Sequence, residues 1–307
     1  MLARVVGGPP SAGDVVTVHV LSRQDVTPVD TDMHQAFEIG VLLEGEQERS
    51  CGQVAARVEA GDVWLSAACE PHGWRVTRPP TRELIIQFTP GFLGEETLDG
   101  KPWLSVFAIP PERRPSVLRR DMREKVLAIA GDVIREAGEK LQGWRDGVRL
   151  RVLVLLLTIY RSLRDADPGA YRLADDASNL ARILPAVELV GMYPERRVSL
   201  AEAAATCQLS VTRFRFLFRR TMGVSFGQFA LRNRLAHAAH LLLSTSLSVE
   251  AVAKEVGFVD GSHLHRTFRK HYGRTPSGRR ADGQRLLEPR TEVSSLLGEG
   301  TEPGGLP

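Results

Sequence analysis

Cysteine is scarce: Cys51, Cys69 and Cys207 are all the chain has, and no CxxC pair occurs. An odd count without paired spacing excludes a disulfide framework. It implies a reducing intracellular compartment, with each thiol a buried structural group rather than a nucleophile. Long apolar runs are also missing. The longest, Val152 to Leu157, has six residues, against the roughly 20 that a membrane-spanning helix requires. The opening MLARVVGGPPSAGDV has one basic residue and no apolar core, so no secretory signal and no membrane partner are expected. GGPPSAG lacks the GK[ST] ending of a phosphate loop, and no G-x-S-x-G elbow occurs.

What is present is globular. Of 307 residues, 43% are apolar and 25% charged, which excludes a wholly disordered chain and suits about two domains. The net charge of +3 hides an asymmetry. Residues 180–285 hold 17 Lys plus Arg against 7 Asp plus Glu, whereas the remainder holds 23 against 30. A compact basic segment suits a polyanion, because Lys and Arg displace counterions from phosphates; an arginine-rich solvated surface is the equal alternative on charge alone.

Residues 15–90 read as strands. VVTVHVLS, FEIGVLLEGE, AARVEAGDVWLS and LIIQFTP alternate or are β-branched and are broken by Gly, Pro and Asp; their spacing predicts a small barrel or sandwich. After Pro110 to Pro115 the period changes. Residues 117–142 and 146–165 carry helical periodicity, the second apolar on more than one face, as expected for burial against the barrel or another subunit. DADPGAY breaks the pattern at 165–171, and a second helical block runs from about Pro185 to Arg280. The last 25 residues are rich in Gly, Pro, Glu and Ser and predict a disordered tail.

The second block holds two similar units, from Leu200 and from Val249, each a short Ala-rich helix, a turn, a helix ending in F-R-[RK] and a closing Gly. This predicts a helix-turn-helix twice over. Ser199 with Glu202 and Ser225 with Gln228 predict capping boxes, and Ser210 and Ser248 predict N-caps. Gly257 suits a positive φ at the second turn, where the first has Gln208 nearby. Leu264, Phe268 and Tyr272 form a buried stripe, opposite Ser262, His265, Arg266 and Arg269. In the earlier unit Phe214, Leu217 and Phe218 point inward and Thr212, Arg215 and Arg219 outward. Such exposed faces suit major-groove readout, whereas Arg219, Arg220, Arg269 and Lys270 suit phosphates. Phe226 to Leu243 reads as one helix about 27 Å long, able to hold the two reading helices near one DNA turn apart.

Residues 180–280 resemble the DNA-binding domain of the AraC/XylS family. The resemblance is carried by LSVTRFRFLFRRTMGVSFGQFALRNRLAHAAHLLL (209–243) and VEAVAKEVGFVDGSHLHRTFRKHYGRTP (249–276). It implies a transcription regulator, more often an activator, with double-stranded DNA and RNA polymerase as partners. By match to the motif, base contacts fall to Thr212, Arg215, Phe216, Gly261, Ser262, His265 and Arg266, with Ser210 among the phosphate contacts. Phe216 stands where relatives often carry Arg, so packing on a thymine methyl or a sugar replaces a hydrogen bond there.

His34-Q-A-F-Glu38, followed by Gly45, resembles the first cupin motif, and EAGDVWLSAACEPHGW the second. This implies a barrel with a small-molecule pocket. His34, Phe37, Glu38, Trp64, His72 and Trp74 are the candidate pocket residues. His34, Glu38 and His72 have the donor types of a divalent-metal site. However, Asp32 replaces the first histidine of the H-x-H pair, and no final Asn or His follows His72. The reading therefore favours pocket-lining side chains over metal ligands, and no cofactor or enzymatic activity is expected. The alternative is a cupin-type metal-dependent enzyme or sensor fused to a DNA-binding domain. The expected architecture is a cupin-like barrel (1–112), a helical connector that dimerises the chain (113–178), an all-α domain with two helix-turn-helix units (179–282) and a tail (283–307).

Overall fold

The computed structural model describes residues 15–287, apart from 28, 52–53, 95–96, 99–100, 111–113, 115–119, 168, 170–177 and 194. The β-rich half comprises β1 (Val16–Arg23), β2 (Asp30–Asp32), β3 (Phe37–Cys51), β4 (Val54–Glu59), β5 (Val63–Ser66) and β6 (His72–Phe88). All pairings among these six are antiparallel. Two strands are far longer than the alternation suggested: β3 has 15 residues and β6 has 17. Each serves two layers. Their paired ends near Phe37 and Phe88 join β1 and β5, and their other ends near Cys51 and His72 join β2 and β4. The ladder runs β1-β6-β3-β4, and no pairing among the described residues closes it into a continuous barrel.

The fold-over has a local cause. The β3–β6 register slips between Leu42 and Gln47, opposite Pro79 and Pro80, which cannot donate to the ladder. Gly45 sits there at φ +82, and a Cβ on it would lie 2.2 Å from the Pro80 carbonyl oxygen. Only glycine satisfies both constraints.

Strand alternation gives the layer containing β1 and β5 one apolar and one polar face. Val16, Phe37, Ile39, Val41, Leu84, Ile86 and Phe88 form the apolar face. It packs with α1 (Arg120–Glu139) and α2 (Trp144–Ala166) in one hydrophobic core. Val148, Val152, Leu155, Leu156, Ile159 and Leu163 of α2 are buried there, while Leu150 and Val154 are 59% and 50% exposed. The breadth of the apolar surface of α2 therefore has two origins: intrachain burial and a residual exposed stripe.

The helical half comprises α3 (Ser178–Met192), α4 (Leu200–Thr206), α5 (Val211–Met222), α6 (Phe226–Ser244), α7 (Val249–Glu255), α8 (Gly261–Tyr272) and α9 (Pro276–Leu287). Two boundaries differ from expectation. Pro185 lies inside α3 rather than at its start. Helix α9 continues through residues expected in the tail; the rest of that segment, 288–307, lies outside the described residues, as do 168, 170 and 171 of the expected break at 165–171. Among the described residues, no helix is long and apolar enough to cross a membrane.

Candidate nucleic-acid interface and effector site

The two helix-turn-helix units are related residue by residue. Helices α5 and α8 have 12 residues each, and a shift of 50 in number superposes Phe214 on Leu264, Phe218 on Phe268 and Gly223 on Gly273. The side chains of Ser210 and Ser248 cap α5 and α7 as expected. Asp260 caps α8 by accepting from the His263 amide, a cap that the sequence reading passed over. Ser225 and Gln228 form a complete capping box. At α4 only Ser199 caps, because the Glu202 carboxylate pairs with Arg196 instead. Gln208 (φ +54) and Gly257 (φ +70) occupy matching left-handed turn positions.

Phe214, Leu217, Phe218, Leu264, Phe268 and Tyr272 are buried. Thr212, Arg215, Phe216, Arg219, Arg220, Ser262, His265, Arg266, Arg269 and Lys270 are exposed. In α8, Ser262, His265, Arg266 and Arg269 fall within about 100° of arc at 100° per residue, and the α5 counterparts repeat the pattern. The spacer α6 runs 19 residues, about 28 Å. Its first turns bury Phe226 and Phe229 against Phe218. Its later turns bury Leu235, Ala238, Ala239 and Leu242 in the core of the second unit. Arg197 and Arg234 both donate to the Gly257 carbonyl, so the second turn is tied back to α6 and the α3–α4 connection. The spacer is thus welded to both units. Gly261 has a different place from its expected base contact: it is half-buried, and its N–H is donated to Glu250 at 2.7 Å.

The β-domain encloses a polar interior between its two layers. Alternation points His19, Glu38, Trp64, Glu83 and Gln87 inward from one layer and Gln47, Arg49, His72 and Trp74 from the other. Arg49 pairs with Glu83, which also binds Arg23. Its guanidinium lies 3.5 Å from the Trp64 ring centroid and 5.9 Å from that of Trp74. Burial pulls Arg49 down to about 9, so it stays cationic at neutral pH. Glu38 accepts from Trp64 Nε1 at 3.0 Å, Gln87 Nε2 at 3.1 Å and His34 Nε2 at 2.9 Å. Burial alone would raise its carboxyl pKa, but the His34 hydrogen bond and the two imidazoles hold it well below the carboxylate range. Burial would likewise lower His34, yet Glu38 and then Asp32 raise it.

Of the expected pocket residues, His34, Glu38, Trp64 and His72 converge here and Trp74 flanks Arg49. Phe37 does not join them. It is one residue out of phase and packs on Phe88 and Phe107 in the apolar core. A cavity of about 60 Å³ lies beside Arg49, Cys51, Trp64 and His72, room for a few waters but far below the ~300 Å³ of a typical ligand pocket. Around the interior, Thr17 Oγ1, His19 Nε2, Gln47 Nε2 and Oε1, Arg49 Nε and Thr81 Oγ1 are buried without a hydrogen-bond partner among the described residues.

Segment 30–34 joins this interior to the second helix-turn-helix unit. Arg274 donates to Asp30 and Arg279 to Asp32, at 2.6 and 3.1 Å. The Thr31 hydroxyl donates to the Tyr272 carbonyl, and the Tyr272 hydroxyl donates to the Met33 carbonyl. Met33 is buried with Leu264, Phe268 and Tyr272. No sequence period announces these contacts, because they join residues some 240 apart.

Comparison with known proteins agrees with the helical geometry. Residues 203–282 match the helix-turn-helix domain family. The HTH-type transcriptional regulator GbdR of Pseudomonas aeruginosa is 29% identical over 154 residues, 48% of this chain and 41% of GbdR. The virulence regulon transcriptional activator VirF of Yersinia enterocolitica is 28% identical over 113 residues, 33% of this chain and 42% of VirF. The chain thus spans less than half the length of these curated relatives. ToxT from Vibrio cholerae with bound unsaturated fatty acid superposes with a TM-score of 0.57 at 13% identity, over 86% of this chain and 94% of ToxT. That likeness establishes a shared two-domain fold.

Proposed function

Taking residues 203–282 as an AraC-type helix-turn-helix domain, we propose that the chain is a sequence-specific DNA-binding transcription regulator, an activator, governed by a small molecule in its β-domain. The observation that carries this reading is the pair of capped, equal-length helices whose exposed faces bear Arg215 and Arg266. Neither guanidinium makes a hydrogen bond or ion pair among the described residues, so both are available to a duplex. Thr212, Arg215, Phe216, Ser262, His265 and Arg266 read bases. Ser210, Arg219, Arg220, Arg269 and Lys270 hold phosphates. The welded spacer sets the two helices in successive major grooves.

The unpartnered Gln47, Thr81, Thr17 and His19 atoms support a polar effector inside the β-domain, since buried polar groups without partners are costly. The small cavity means that the effector enters by displacing side chains, with Arg49 the obvious mover. Segment 30–34 carries the change to the second unit. Leu150 and Val154, with half-buried Leu153 and Leu157, form an i, i+3, i+4, i+7 stripe that pairs two copies into a homodimer. RNA polymerase in the cytoplasm is the downstream partner, and no catalysis is involved. The domain limits 1–112, 113–178 and 179–282 belong to the same reading.

A genome-wide map of bound sites, with duplex binding measured across salt concentrations, tests the proposal. Discrete sites, with affinity falling steeply as salt rises, are expected. No enrichment and a flat salt dependence would refute it.

A further inference from the structure

We propose that the cavity between the α3–α4 connection and the first turns of α6 binds a phosphate group through Arg196, Arg197 and Arg234, and that the DNA backbone supplies that group. The choice of source rests on the regulator reading; the site does not.

The cavity has a volume of about 180 Å³, three times that of the one beside Arg49. It has room for a phosphate group and several waters. The three arginines line it together with Val198, Gly227 and Ala230.

Two of these cations converge on a neutral acceptor. Arg197 Nε and Nη2 donate to the Gly257 carbonyl oxygen at 3.0 and 2.9 Å, and Arg234 Nη1 donates to the same oxygen at 3.0 Å. A carbonyl oxygen has two lone pairs, whereas each guanidinium carries five N–H groups. Most of their donors are left to whatever fills the cavity. Among the described residues, neither Arg197 nor Arg234 forms an ion pair, and Glu202 pairs with Arg196 alone. Burial and then the neighbouring Arg197 pull Arg234 below its ordinary value, the mark of crowded like charge. The Arg234 guanidinium is also seated on Phe258, 4.9 Å from the ring centroid.

A phosphate group answers this arrangement. Its charge offsets the crowding, and its oxygens match the guanidinium forks. Three guanidiniums suit a tetrahedral group with several oxygens better than a carboxylate with two. Gly227 brings the amino end of α6 to the cavity, in the first turn of a helix of 19 residues, where the helix dipole favours an anion.

The position of the cavity points to a duplex. Arg196, Arg197 and Val198 lead directly into Ser199, the cap of α4, and Gly257 lies in the turn that leads into α8. In a helix-turn-helix the first helix crosses the backbone, and the N-terminal part of the second meets base edges. The cavity thus lies between the start of α4 in one unit and the approach to α8 in the other. A backbone phosphate seated there would fix both units at once.

Gly227→Asp in the full-length chain tests this. A Cβ on Gly227 meets nothing within 4 Å, and an acid in the first turn stabilises a helix. The variant should therefore fold while its carboxylate competes for the arginines. Without DNA, the wild-type Gly227 amide and the Arg197 and Arg234 Nε resonances should shift on titration with inorganic phosphate at constant ionic strength. Gly227→Asp should abolish those shifts. Unchanged wild-type resonances, or shifts retained in the variant, overturn the site. Affinity for selected and scrambled duplexes alike should fall about tenfold in Gly227→Asp and at most about threefold in Gly227→Asn. Gly131→Asp, which adds the same charge at an exposed position of α1, should stay within about twofold of wild type. Equal losses in Gly227→Asp and Gly227→Asn, or in Gly131→Asp, overturn the electrostatic role. Lost phosphate binding with unchanged duplex affinity overturns the DNA backbone as the source and assigns the site to a free phosphorylated molecule. A wild-type chain that binds no duplex overturns the regulator reading and the DNA source, while the phosphate titration still judges the site.

Discussion

Arg266 and Arg269 lie three residues apart on α8, about 4.5 Å along its axis, yet deleting them should have different consequences. Both are exposed and neither side chain has a partner among the described residues, so Arg→Ala at either position should change folding stability by less than about 0.5 kcal/mol. Any larger effect on affinity is then an effect on DNA contact. Arg266 sits toward the N-terminal half of α8, where a reading helix meets base edges. Losing a bidentate base contact costs about 1–3 kcal/mol, or roughly 5- to 150-fold in Kd, and relaxes the preference at one base pair. Arg269 lies nearer the helix end. Losing a phosphate contact should weaken all sequences alike and reduce the log–log salt slope by about 0.9. Fluorescence anisotropy with a selected duplex and its single-base variants, at several salt concentrations, separates the two. Identical effects on every duplex, or an unchanged salt slope for Arg269→Ala, would refute the sorting of contacts.

Three further outcomes follow from the packing. Gly45→Ala should destabilise the β-domain by about 1–3 kcal/mol, because it places a Cβ at φ +82 against the Pro80 carbonyl; a denaturant midpoint equal to wild type would contradict this. The Tyr272 phenol is pushed well above 10 by burial and then by Asp32. The folded state therefore favours the protonated form, and its contribution to stability is complete below pH ~10 and lost as pH climbs beyond that value. Alkaline spectrophotometric titration should show this tyrosine ionising late or only on unfolding. Burial pushes Cys51 up to about 12 and raises Cys69 still further. Iodoacetamide at pH 8 should leave both unmodified in the native chain, and rapid labelling would show that these thiols are not held as described.

Much of the helical domain was legible because its signals are local. Serine caps, a glycine turn and a four-residue apolar stripe each act within one or two helical turns. Ser210, Ser225, Ser248, Gly257 and the Leu264–Phe268–Tyr272 face therefore sit where the sequence placed them. Asp260 was missed as a cap, although an Asp three residues before His263 is a readable signal. The β-domain was less legible. Strand alternation marks faces but not partners, so it could not reveal that β3 and β6 each serve two layers, nor that Phe37 lies one residue out of phase with Glu38. Such pairings are set by long-range register and by the bend at Gly45 opposite Pro79 and Pro80.

The amino-acid sequence alone determined a β-rich half, a twice-repeated helix-turn-helix and the sidedness of its arginines, because periodicity and capping are written in adjacent residues. Tertiary structure decided that the imidazoles of His34 and His72 meet Glu38, that Arg49 fills the interior of the β-domain, and that Asp30 to Met33 grip Tyr272, Arg274 and Arg279. Those facts depend on contacts between residues up to some 240 positions apart, which only the folded chain brings together.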